Sequence, residues 1–106
     1  MTQSVVNVSR DFSKYPAGRY LEDGPASGQL FRDKFLIPAL KEFRKLTIEL
    51  DGTRGYGSSF LEEAFGGAVR AGFSPDTVKQ TFTLISEDQS LIEEIHEYID
   101  HGHDPD

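Results

Sequence analysis

The sequence predicts a small α/β domain in which helices lie against a mixed or parallel β-sheet. Three observations carry that expectation. Short runs rich in Val, Ile and Thr alternate with longer runs whose apolar residues recur at helical spacing. Clusters of Gly, Pro, Asp and Ser separate these runs as turns do. With 106 residues and no internal repeat, the chain can bury one core but not two, so residues 1–106 read as a single domain.

Taken in order, SVVNVSRDF (Ser4 to Phe12) is short and rich in Val and predicts the first strand. As an exposed edge, it could pair with a second copy to give a homodimer. AGRYLEDGPASG (Ala17 to Gly28) holds three Gly and one Pro and reads as a loop, with space for a short strand over Arg19 to Leu21. Ser27 is placed to cap a helix through GQLFRDKFLIPALKEF, where Leu30, Phe31, Phe35, Leu36, Ala39, Leu40 and Phe43 share one periodicity. Pro38 interrupts it, lacking an amide donor and crowding the carbonyl of Lys34, so a kink or two shorter pieces are expected.

In KLTIELDG, Leu46, Ile48 and Leu50 alternate with Thr47, Glu49 and Asp51, which is the period of a strand ending in a turn. After TRGYG, the run SSFLEEAFGGAVRAG places Phe60, Leu61, Ala64, Phe65, Ala68 and Val69 on one helical face. Gly66 and Gly67 each weaken that helix by roughly 1 kcal/mol relative to Ala, which implies close packing of another element there. SPDTVKQ predicts a helical turn capped by Ser74, with Pro75 at its first position. TFTLIS predicts a strand, SLIEEIHEYID an amphipathic helix, and HGHDPD a polar tail. Counting Arg19 to Leu21, the sheet has about four strands.

Composition excludes several function classes. With no cysteine, disulfides, thiolate metal sites and cysteine nucleophiles are absent. No stretch approaches the roughly 18 apolar residues of a membrane span, and MTQSVVNVSRDF lacks the basic start and apolar run of a secretion signal. A cytoplasmic location is expected. The net charge of -7 is local: Glu87 to Asp106 holds eight acids and no Lys or Arg, leaving ten acids against eleven bases before it. No basic stripe with interleaved aromatics points to nucleic acid.

The serines of GYGSSFLEE draw attention next. Ser59 and Glu62 fit the S-x-x-E capping box, in which each side chain satisfies a free amide at the helix start. That leaves Ser58 without a structural task. GYGSSF lacks the G-x-S-x-G nucleophile elbow, and no complete catalytic constellation exists, so no enzyme and no cofactor are expected. The loop DGPASGQLFR offers an alternative, a small anionic-ligand or nucleotide site at Gly24, Ser27 and Gly28 with Arg19 and Arg32 as counterions. It lacks both the P-loop and the dinucleotide fingerprint, and a plain turn with a helix cap is the simpler reading of it. His96 and Asp100, with His101, His103, Asp104 and Asp106 beyond, resemble a metal cluster but read better as a solvated acidic terminus. Glu62 and Glu63 project about 100° apart on a helix and make a poor acid/base pair.

Gly18-Arg19, Asp23-Gly24-Pro25, Ser27-Gly28, Phe31-Arg32 and the run from Ser58 to Gly66 together resemble a family of small bacterial and phage-borne proteins described as STAS-like domains of unknown function. The resemblance covers about Val5 to Ile99. It implies a small mixed sheet with helices mainly on one face, similar to anti-sigma-factor antagonists. In those antagonists a strand leads through Asp-Ser-Ser/Thr-Gly into a helix, and the first serine is phosphorylated by a histidine-kinase-like ATPase partner. The resemblance thus implies a signalling module with a protein partner and makes Ser58 the candidate phosphoacceptor. Gly57 stands where those loops have the acid, and Phe60 where they have glycine.

Overall fold

The computed structural model describes residues 4–104. Strand β1 (Ser4–Asn7) pairs in parallel with β2 (Leu46–Glu49), and β2 pairs in parallel with β3 (Phe82–Ile85), giving the order β1-β2-β3. Val6, Ile48 and Leu84 stand in one register row, Val5, Thr47 and Thr83 in the next. Because successive side chains point to opposite faces, one face buries Val6, Leu46, Ile48 and Phe82. The other leaves Val5 and Ile85 exposed at 54% and 48%. The helices cover the first face.

The expected fourth strand does not form, and the three described strands are all parallel rather than mixed. Its residues are diverted locally. The Asp23 carboxylate accepts from the amides of Arg19 (3.2 Å) and Tyr20 (2.8 Å), and the chain turns into a single 3₁₀ turn, Leu21–Asp23. β1 is also shorter than Ser4 to Phe12. Asn7 Oδ1 accepts from the Arg10 amide and Asp11 accepts from the Asn7 amide, starting a π-type turn over Val8–Phe12.

Helix α1 occupies residues 28–41 and Ser27 caps it, its hydroxyl accepting the Leu30 amide at 3.2 Å. It is α-helical over Gly28–Phe31, widens into a π turn over Arg32–Leu36, and resumes over Ile37–Lys41. The Ile37 amide reaches back five residues to the Arg32 carbonyl. The Pro38 interruption is therefore met by one extra residue per turn just ahead of it, within a continuous helix. Helix α2 (residues 58–70) has the same construction: Ser58–Leu61, a π turn over Glu62–Gly66, then Gly67–Arg70. Ser74 caps α3 (Pro75–Thr81) and Asp88 caps α4 (Gln89–Asp100).

The close packing expected at Gly66 and Gly67 is present. A Cβ on Gly66 would lie 3.2 Å from the Tyr98 carbonyl oxygen of α4, and one on Gly67 would lie 2.7 Å from Arg32. Phe31, Leu40, Phe65, Val78, Ile95 and Ile99 bring all four helices into one core against the sheet.

Candidate functional site

α2 begins directly after Gly57, whose extended backbone makes it the N-cap without any side-chain cap. Ser58 and Ser59 are exposed, while Phe60 and Leu61 are both 1% exposed. This division follows from helical geometry, because each residue turns about 100° from the last. Phe60 is held inward by an aromatic cluster, with ring centroids 5.7 Å from Phe31, 6.0 Å from Tyr56 and 6.1 Å from Phe12. The predicted capping box is corrected here: Ser59 is the second helical residue, not the N-cap, and Glu62 is drawn to arginines instead. Tyr56 fixes the loop ahead of the helix by donating to the Leu50 carbonyl at 2.6 Å, and burial pushes its phenol up to about 12. Beside it, a cleft of about 400 Å³ is lined by Tyr15, Pro16, Ala17, Arg54, Tyr56 and Gly57, directly next to Ser58 in the chain.

One turn into α2, Glu62 and Glu63 form the polar centre of the molecule. Arg19 Nη1 lies 2.5 Å from Glu62 and 3.3 Å from Glu63. Arg32 Nη1 lies 2.5 Å from Glu63, and Arg70 reaches both carboxylates at 2.7 and 3.3 Å. Arg70 also donates to the Gly102 carbonyl, tying in the chain after α4. Hydrogen bonds from Arg70 and then Arg19 lower the Glu62 carboxyl against the opposing effect of burial. Hydrogen bonding to Glu62 raises Arg19 and Arg70. Three arginines from the 17–24 loop, α1 and α2 are thus clamped by two adjacent glutamates.

That clamp occupies both arginines of the expected anion site. Arg19 and Arg32 do not face an open loop; their charges are met by Glu62 and Glu63. The Gly28 amide donates to the Gly18 carbonyl at 2.9 Å, and the Ser27 hydroxyl serves as a helix cap. Gly24 holds a φ of 155°, and Gly28 is small for a packing reason: a Cβ there would collide with the Phe60 carbonyl oxygen of α2. Gly28 lets α1 and α2 meet at their N-terminal ends.

At the far end of the chain, His101 Nδ1 lies 2.6 Å from Asp104, whose hydrogen bond and then charge raise the imidazole. Asp106 lies outside the described residues, and among those residues no three His, Asp or Glu side chains gather as a metal site. Sequence reasoning missed Arg70 and Arg54. Arg70 lies eight residues from Glu62, two helical turns along the same helix, and that spacing was the available signal.

A family model described as a STAS-like domain of unknown function matches residues 27–91. The match includes Ser58 and, from the clamp, Arg32, Glu62, Glu63 and Arg70; Arg19 precedes it. No curated protein and no solved structure matches the chain. No helix among the described residues is long and apolar enough to cross a membrane.

Proposed function

Because the chain belongs to the family of STAS-like domains of unknown function, we propose that it is a non-enzymatic regulatory module that binds a protein partner through the first turn of α2. In this reading Ser58 is the switch, phosphorylated by a histidine-kinase-like ATPase partner, and the module works in the cytoplasm. The observation that carries the reading is the division of GSSFL: two exposed hydroxyls are presented on a helix start that two buried side chains hold rigid. Phosphate at Ser58 would add about -1.5 to -2 charges at one surface point, beside the free amides and positive end of α2. The Phe60 substitution fits this reading. Residue 60 lies within the helix and needs no glycine conformation, and its ring anchors the turn that displays Ser58.

The test is a comparison of immobilised wild-type, Ser58→Ala and Ser58→Asp chains against a histidine-kinase-like ATPase partner from the same cell. We expect Ser58→Ala to bind as wild type and Ser58→Asp to bind at least about tenfold more weakly, which is roughly 1.4 kcal/mol. Incubation with the partner and ATP should add one phosphate to wild type and none to Ser58→Ala. Equal binding by both variants, with no phosphate transferred, would end the proposal.

A further inference from the structure

Phe43 is the sole non-glycine residue among the described ones with a positive φ, at +55°, and its side chain is 93% exposed. It stands just past the end of α1, where the Arg44 amide closes back on the Ala39 carbonyl at 2.9 Å. This is the left-handed position that helices ordinarily give to glycine or asparagine. A bulky aromatic there is unfavourable twice over, in its backbone and in its exposed ring. Nothing in the fold uses the ring. Such a residue fits an anchor for another surface.

The surroundings specify the chemistry of that surface. Lys41 and Lys45 are exposed, and Arg44 is partly so; Glu42 is the single acid among them and lies 3.0 Å from Arg44. The complementary surface exists on this same molecule. Along the outer side of α4, Glu93, Glu94, His96, Glu97 and Asp100 line a groove of about 540 Å³. Half-buried His96 is the least polar side chain of that lining; Ile92, one turn before it, packs inward on the core, and Asp100 is already bridged by Lys79 at 2.6 Å. Because the Phe43 ring is bare, it does not occupy its own groove, so the match is available only between copies.

We propose that Phe43 anchors a self-association in which the Lys41–Lys45 corner of one chain seats in the α4 groove of a second. The ring lies against His96, and Lys41, Arg44 and Lys45 face Glu93 and Glu97. This contact is separate from the Ser58 surface and does not depend on its phosphorylation.

Sedimentation velocity at protein concentrations to about 1 mM tests it, since a contact with a millimolar Kd is then half assembled. Wild type should gain mass with concentration at low ionic strength and lose that gain in high salt. Phe43→Gly should weaken association at least about tenfold while melting no earlier than wild type, and Phe43→Asn, also tolerated at positive φ, should do the same. Glu93→Lys/Glu97→Lys should also be monomeric alone. Mixed with Phe43→Gly, it cannot accept the ring offered by its own kind, but its intact Phe43 fits the intact groove of Phe43→Gly, so heterodimers should form. A wild type that stays monomeric overturns the proposal and leaves the corner to a different acidic partner. Association that survives Phe43→Gly, or a mixture that stays monomeric, also overturns it.

Discussion

Glu63 shows how one side chain can hold three elements at once. It is 7% exposed and within 3.3 Å of Arg19, Arg32 and Arg70. Removing a partner from such a pair leaves charge buried without compensation. Glu63→Gln should therefore cost about 3 kcal/mol in urea unfolding. Glu62 makes the acid side of the same clamp measurable. Its carboxyl lies below the ordinary value of 4.5 in the folded chain, so the clamp's stabilisation is complete above that pH and is lost as pH falls through the lowered folded value. Wild type should lose stability on acidification below about pH 4.5, and Glu62→Gln should show a shallower loss in the same titration. Phe43 works in the opposite sense. Relieving its left-handed backbone with Phe43→Gly should raise stability by up to about 1 kcal/mol, read as a higher urea midpoint.

The helices α1 and α2 are matched elements: each contains a π turn, and an Arg32–Glu63 ion pair joins the two turns. Their N-terminal ends touch backbone to backbone at Gly28, so Gly28→Ala should cost about 1–3 kcal/mol by overpacking, detectable as an earlier thermal transition. Phe60→Gly, which restores glycine at the position where antagonist loops carry it, should cost about 3 kcal/mol or more because it empties the aromatic cluster. Most elements were legible in the sequence because their periods are local. Ser27 and Ser74 announced their helices, Leu46 to Leu50 announced β2, and the paired glycines announced a close approach. What was illegible depends on partners far along the chain or on single backbone choices. Ser59 and Glu62 match a capping box in spacing, but Arg19, which is 43 residues away, and Arg70 take the glutamate. Arg19 to Leu21 leaves space for a short strand, yet Asp23 captures the amides of Arg19 and Tyr20, and Gln29 captures that of Leu21. The π turns carry no compositional mark beyond Pro38, and the positive φ of Phe43 carries none.

Across the whole molecule, polarity is divided by place. Four of the eight acids of the last twenty residues, Glu93, Glu94, Glu97 and Asp100, line the outer side of α4, while the rest of the chain is nearly balanced. The Ser58 turn and the Phe43 corner belong to different stretches, one opening α2 and the other closing α1. The sheet adds a consequence in time. Ser4 pairs with Leu46 and Leu46 with Phe82, so each parallel pair is joined by a long crossover and no hairpin can form early. Each pairing must close a long loop before it gains any ladder, which places folding in the millisecond-or-slower range expected of non-local topologies. Stopped-flow refolding should resolve the main signal change rather than lose it within the mixing dead time. On the ribosome the order is stricter still. β1 leaves the exit first and has no partner until β2 follows it out, and the sheet is complete only when Phe82 to Ile85 has been synthesised. Until β2 emerges, the nascent chain carries an unpaired Val-rich strand, and α1 is the helix at hand to shelter it.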